Sequence, residues 1–240
     1  ACEEAARIIL SENRPFSMET AACDEEYEPS SEYDSSFALQ IFAAREAVFK
    51  ILAKESLSIH EKLIVILDMG SKIQQCINTD EYDNIKSVVN DYLKEGIAHT
   101  LDETRNLSDS GQFEDISLQQ GIRQILYPYE EMEVLNPEWE VILKDIIDSL
   151  FEQMSDEEYN ILNEEFGTYM VSRAYEYRQL LEYLVFRYFA KSIYDYDFLG
   201  KCQMLVTNFF VIRQMDIIRW LDNHREYSFK DRMDVVHIFS

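Results

Sequence analysis

The sequence predicts an all-α protein, an irregular bundle of roughly eight to ten helices. Three observations predict it. Helix-start signals recur along the chain, each followed by apolar residues at three- and four-residue steps. No segment alternates polar and apolar residues like a half-buried strand. Only 6 Gly and 4 Pro interrupt 240 residues, 47% of which are hydrophobic, enough to bury a core.

Taken in order, a short first helix is expected near Glu3 to Glu12, followed by an exposed connector over Glu25 to Ser36 that contains Glu28-Pro29-Ser30-Ser31. Residues 1–36 thus form an N-terminal helix and acidic connector, and 37–240 a helical domain with a candidate subdivision near 128–136. Ser58-Ile59-His60-Glu61 is a capping box, and Ile59, Leu63, Ile66, Gly70, Ile73 and Ile77 line one helix face behind it. Thr79 is expected to cap the next helix, with Ile85, Val89 and Tyr92 on its buried face. Ser117 to Gln120 caps a short helix that Tyr127-Pro128 should end. Asn136 before Pro137 starts another, because proline at the first helical position lacks an amide that would be unpaired anyway. Its stripe is Trp139, Ile142, Leu143, Ile146 and Leu150. Ser155 to Glu158 is a second capping box, opening a run that leads into the aromatic stretch from Tyr169 to Phe198.

The net charge is −24, and it is concentrated. Residues 1–36 carry ten carboxylates against Arg7 and Arg14, and residues 130–165 carry thirteen against Lys144 alone. Residues 166–240 are close to neutral. Such a chain repels phosphate backbones and anionic lipid, so no nucleic acid and no membrane partner is expected, whereas lysine-bearing protein surfaces are attracted. Cys2, Cys23, Cys76 and Cys202 are scattered, with no C-x-x-C pair and no dense disulfide spacing, which fits a reducing, cytoplasmic compartment. The chain is expected to be monomeric. Its start at Ala1-Cys2, inside a helix-like run, and its stop at Ser240 predict a fragment of something longer.

Several chemistries are excluded by residue type and spacing. No glycine-rich phosphate loop and no nucleophile elbow is present. His60-Glu61 begins like a helical zinc motif, but Ile64 stands where the second imidazole is needed. Asp195-Tyr196-Asp197 could bind a cation or amine, or form a polar connection between helices. The aromatic series from Tyr175 to Phe198 could line a channel for an alkylammonium group or pack as core. Arg187, Arg213 and Arg219 interrupt apolar helices and call for partners, with Asp195, Asp216 and Asp222 as the nearest candidates.

The wording of the sequence adds a family. Tyr183-Leu184-Val185-Phe186-Arg187-Tyr188-Phe189-Ala190-Lys191, then Tyr194-Asp195, Phe198-Leu199-Gly200-Lys201 and Val211-Ile212-Arg213, resembles the C-terminal region of flagellin lysine N-methylases. So does the ending Asp234-Val235-Val236-His237-Ile238-Phe239-Ser240, and Cys2-Glu3-Glu4-Ala5-Ala6-Arg7 is similar to the family's Cys-Pro-Glu-Ala-Ala-Arg, with Glu3 in place of proline. The resemblance is strongest over 180–240 and weak over about 80–130. It implies transfer of methyl groups from S-adenosylmethionine to surface lysines of flagellin, in proteins that also carry an iron-sulfur cluster ligated mostly by residues outside this chain. Cys2 is the one cluster-ligand candidate it offers. Methyl transfer needs a neutral, aligned amine. Asp195, between Tyr194 and Tyr196, is the expected amine-facing group, with Arg187, Arg213 and His237 as further motif residues. A non-catalytic helical adaptor for a basic protein surface, or a methylase-like protein with another substrate, are the alternatives.

Overall fold

A computed structural model describes residues 3–14, 35–110, 116–131 and 137–239. Among these residues every regular element is helical and none is a strand, as the sequence predicts. The helices are α1 (Glu3–Leu10), α2 (Ser35–Leu52), α3 (Ile59–Asn78), α4 (Ile85–Asp91), α5 (Ile97–Asp109), α6 (Leu118–Glu130), α7 (Pro137–Ile146), α8 (Asp156–Tyr169), α9 (Ala174–Tyr188), α10 (Ser192–Asp195), α11 (Phe198–Asp222) and α12 (Phe229–Phe239). Among the described residues no helix is long and apolar enough to cross a membrane. Cys2, Cys23, Asn136 and the connector through residue 34 lie outside the described residues.

The chain groups into two compact units. The first comprises Ala1–Glu12, Ser110–Tyr177 and Val206–Ser240; the second comprises Asn13–Asp109 and Arg178–Leu205, so the division falls inside α9 and α11.

In the second unit, α3 begins at the expected capping box. The Ser58 hydroxyl accepts from the Glu61 amide, and the Glu61 carboxylate accepts from the Ser58 amide at 2.9 Å. The predicted face, Leu63, Ile66, Ile73 and Ile77, is buried, and α3 packs against α2 and α4, which bury Phe37, Ile41 and Val48 and Ile85 and Val89. Gly70 sits on that face because α11 comes close. A Cβ there would lie 2.6 Å from Cys202 Sγ and 3.2 Å from Cys202 Cβ. Thr79 does not cap the following helix; its hydroxyl donates back to the Gln75 carbonyl at 3.0 Å, and α3 ends with Asp80 in the left-handed conformation, φ 58°. The amides of Asp80 and Glu81 then bond the carbonyls of Ile77 and Cys76, the pattern that closes many helices. Ile85, Val89 and Tyr92 are buried as expected. Tyr92 opens a π turn, Tyr92–Gly96, and its hydroxyl donates to Asp68 while accepting from Lys72 at 2.7 Å.

In the first unit, α8 starts at the second predicted capping box, Ser155 with Glu158. Ser117 caps α6 as expected, but α6 does not stop at Tyr127-Pro128; it runs on to Glu130 with Pro128 inside its last turn. A proline costs a helix one donor and crowds the carbonyl four residues back, and near the C-terminus only one further turn is affected. α7 starts at Pro137, and Ile142, Leu143, Ile146 and Leu150 are buried. The buried Gln119 of α6 donates to the carbonyls of Leu150 and Met154, satisfying the end of the π turn Ile147–Glu152. α12 has a capping pair that the sequence reading passed over: Ser228 Oγ accepts from the Asp231 amide, and Asp231 accepts from the Ser228 amide at 2.8 Å.

Two predictions follow from these contacts. Gly70→Ala should destabilise the protein by about 1–2 kcal/mol in urea unfolding, because overpacking outweighs the helix propensity that alanine adds. Cys202→Ala should cancel most of that cost in a double-mutant cycle, and additive effects would show that the close approach is not the cause. Accepting the Ser58 and Ser155 amides and hydroxyls holds the Glu61 and Glu158 carboxyls below their ordinary values. A depressed folded value means that their stabilisation is present above the unfolded value of about 4.3 and is lost as pH falls through the folded value. The parent's thermal midpoint should therefore fall more steeply with acid below about pH 4.5 than that of Glu61→Gln/Glu158→Gln.

Candidate functional site

The first unit is organised around a buried charge network. Arg232 of α12 is fully buried, and its guanidinium donates to Glu176 at 2.9 Å and to Asp216 at 2.6 Å, both also buried. Tyr177 donates to Asp216 at 2.5 Å, and the Tyr227 hydroxyl donates to the other Asp216 oxygen. The Arg232 guanidinium lies 4.5 Å from the Tyr177 ring centre. Burial pushes the Tyr177 and Tyr227 hydroxyls well above the ordinary phenol value, so both stay protonated donors. Arg232 Nη2 is buried and has no hydrogen-bond partner among the described residues.

This network fixes the segment between α11 and α12. The Tyr227 carbonyl accepts from Arg173 at 2.6 Å, and its amide donates to the Tyr169 hydroxyl at 2.9 Å. α11 ends with His224 and Arg225 both at positive φ, 55° and 69°. The amide of His224 bonds the Leu221 carbonyl, and that of Arg225 bonds the Trp220 carbonyl at 2.7 Å. In this kind of helix end the residue that makes the longer bond packs on the one whose carbonyl it takes. Here that contact is a cation on an aromatic ring, with the Arg225 guanidinium 5.2 Å from the Trp220 ring centre.

A cleft of 530 Å³ opens at this point, lined by Ile161, Glu164, Glu165, Thr168, Tyr169, Trp220 and Arg225. Its aromatic walls are Trp220 and Tyr169, with ring centres 5.5 Å apart and planes inclined at 46°. Phe166 supports Trp220 from behind at 5.4 Å. The carboxylates come from α8, and Glu165 pairs with Arg225 at 2.8 Å. The Trp220 ring is buried, whereas the Arg225 and Glu165 side chains are 56% and 44% exposed. Cation–π attraction and a carboxylate on one rim suit an alkylammonium or guanidinium group, and one such group is already seated.

A second cleft in the same unit, 310 Å³, is lined by Glu138, Val141, Ile142, Asp145, Ile218, Arg219, Asp222 and Ile238. The two clefts share no lining residue, and Arg219 and Trp220, consecutive on α11, project about 100° apart around the helix axis.

The residues expected from sequence fall in different places. Tyr194, Asp195, Tyr196 and Arg187 belong to the second unit, and Arg213 and His237 to the first. Asp195 accepts from the Asp197 amide at 3.1 Å and pairs with Lys201 at 2.5 Å. Tyr196, at φ 55°, ends α10 and stacks on Phe37 at 5.0 Å. Asp197 caps α11 through the Gly200 amide at 2.8 Å, and Gln74 of α3 accepts from the amides of Phe198 and Leu199. This segment therefore forms a connection between helices. Arg187 is exposed and donates to the Tyr183 hydroxyl at 3.0 Å. Arg213 does not pair with Asp216; it donates to Asn163 and stacks on Phe166 at 5.3 Å, because Arg232 already holds that carboxylate. His237 is exposed on α12. Among the aromatics, Tyr177 is buried in the first unit and Phe189 and Phe198 in the second, while Phe186 and Tyr194 are exposed.

Cys2 lies outside the described residues, and among the described residues no group of three or more His, Cys, Asp or Glu side chains could hold a metal ion. Cys76 and Cys202 are buried, and burial pushes the Cys202 thiol far up. The described residues thus do not fit an iron-sulfur cluster. Trp220, Tyr169 and Arg225 were not found from sequence, although Glu165 and Tyr169 stand four apart on one predicted helix face and could have flagged the cleft.

Among the described residues the fold is all helical, and its candidate site is an aromatic cleft that holds the chain's own Arg225 on Trp220. The chain belongs to the family described as the FliB lysine N-methylase C-terminal domain, whose model matches residues 45–240. Searches of the curated proteins and of the solved structures found no match.

Asp216→Ala should cost about 3–5 kcal/mol in urea unfolding, because it leaves the Arg232 charge without one of its two carboxylates. A cost under about 1 kcal/mol would show that Glu176 alone holds Arg232.

Proposed function

We propose that the protein takes part in methylating surface lysines of flagellin, with S-adenosylmethionine as the methyl source. The observation that carries the reading, beside the family, is the cation on Trp220 paired with the Glu165 carboxylate. A lysine side chain has the same charge and reach. It would lay its methylenes against Ile161 and its ammonium against Trp220 and Tyr169, with Glu164 and Glu165 at the rim.

The amine must be neutral to attack a methyl carbon in line, and an adjacent carboxylate accepts the proton that it loses. Glu164 and Glu165 stand on the cleft rim and suit that role. The described residues do not fit S-adenosylmethionine in line with this amine. The other cleft has carboxylates and Arg219 for the donor's polar groups, but it shares no lining residue with the first, and Arg219 projects about 100° from Trp220 around α11, whereas transfer needs reacting atoms about 3–3.5 Å apart. The acidic run over 130–165, which supplies both rim carboxylates, would also draw lysine-bearing surfaces toward the cleft.

Incubation of the protein in its full-length form with flagellin and S-adenosylmethionine should add methyl groups to lysine, read by mass spectrometry of proteolytic peptides. Glu164→Gln/Glu165→Gln should lower kcat about 100-fold with the helical circular dichroism unchanged. Undiminished transfer by that variant would move the amine to another place. Binding of flagellin with no transfer to any lysine would support the adaptor reading.

A further inference from the structure

The chemistry of the aromatic cleft selects among cations. An unmodified ammonium is strongly hydrated and carries three N–H donors, and it gives up water only where acceptors replace it. The cleft offers carboxylates and a ring from α8, Glu164, Glu165 and Tyr169, and from α11 the ring of Trp220. The ring faces attract positive charge but replace few of the hydrogen bonds that water supplied. The cation now seated there is the guanidinium of Arg225, more weakly hydrated than an ammonium. Each methyl group on a lysine nitrogen removes one N–H donor and spreads the charge, making the lysine resemble the group that the cleft already holds.

We propose that this cleft is a methyl-lysine site: it binds an Nε-methylated lysine side chain more tightly than the unmodified one, in the place occupied by the Arg225 guanidinium. The inference rests on the reading above, in that a methylated lysine is that reaction's product.

Arg225 can yield the place. Its side chain and that of Glu165 are more than two-fifths exposed, and exposed ion pairs contribute little. Its backbone amide stays bonded to the Trp220 carbonyl, so only the flexible stem needs to move. Trp220 keeps its position without Arg225 because Phe166 and Tyr169 flank it. The methylated side chain, once formed, would outcompete a fresh lysine, which favours repeated transfer to one residue over single transfers to many.

The test uses Trp139→Phe, which leaves Trp220 as the sole indole of the chain. Its fluorescence is titrated with one flagellin-derived peptide carrying either lysine or trimethyl-lysine. The trimethylated peptide should bind about tenfold more tightly, and Arg225→Ala should tighten the binding of both. Trp220→Leu, followed by calorimetry, should abolish the preference; Trp220→Phe, which keeps an aromatic wall, should retain part of it even if the leucine variant misfolds. Equal affinities, or tighter binding of unmodified lysine, overturn the inference and leave the proposed lysine site standing. Failure of both peptides to bind overturns the two together.

Discussion

The first unit depends on one buried cation. Arg232 is wholly withdrawn from water, and a guanidinium in that position is tolerable only with charge and hydrogen bonds around it. Glu176 and Asp216 supply the charge, and Tyr177 and Tyr227 complete the coordination of Asp216. Four separate stretches of sequence thereby converge: the start of α9, the middle of α11, the segment before α12, and α12 itself. Well-packed apolar residues can often replace such a network without loss of stability, so stability alone does not account for it. Its geometric consequence is the fixed path of Tyr227, whose amide holds the Tyr169 hydroxyl and whose carbonyl holds Arg173. Tyr169 is a wall of the aromatic cleft, so the cleft inherits its shape from the buried cation.

The second unit solves a different problem, the close approach of helices. Gly70 lets the Cys202 side chain of α11 rest on the backbone of α3. One turn away, Gln74 accepts the first amides of α11 and donates to the Tyr196 carbonyl. Gly200 leaves room for the Asp197 carboxylate, which a Cβ at that position would meet at 2.0 Å. The run from Tyr194 to Lys201, which carries part of the family resemblance, is thus accounted for by the geometry of a helix start. Asp197 caps, Gly200 makes space, and Lys201 neutralises Asp195. A motif that reads as chemistry from sequence has here a sufficient structural explanation.

What was legible in the sequence was local. Capping boxes at Ser58 and Ser155 involve residues three apart, and the stripe from Leu63 to Ile77 is a periodicity of one helix. Threonine caps helix starts, yet the same hydroxyl can donate back to a carbonyl four residues earlier, and Thr79 does so to Gln75, a choice that residue type alone does not make. Tyr127-Pro128 likewise looks like a stop when each residue is weighed alone, whereas α6 continues to Glu130. The partner of Asp216 was sought among Arg187, Arg213 and Arg219, which lie near it in the chain or interrupt apolar helices. The true partner, Arg232, belongs to a different helix and gave no local sign of burial. The cleft went unread because its walls, Tyr169 and Trp220, are far apart in sequence, and because two consecutive residues at positive φ, neither of them glycine, carry Arg225 onto the ring.

The two arginines of this region show how burial decides what a cation can do. Arg232 and Arg225 each meet carboxylates and aromatic rings, so residue type does not distinguish them. Arg232 is sealed from water, and removing either partner would strand a charge in a medium that cannot solvate it. Arg225 stands more than half exposed, and on leaving Trp220 its guanidinium exchanges one set of contacts for hydration at small cost. Buried charge holds geometry and exposed charge can be exchanged. The protein uses both within the same unit: an immovable cation under Tyr227 that sets the cleft, and a movable one over Trp220 that occupies it. Arg232 sets the wall at Tyr169 through the backbone of Tyr227, whereas Arg225 covers the wall at Trp220, so two cations of the same chemistry differ in what surrounds them.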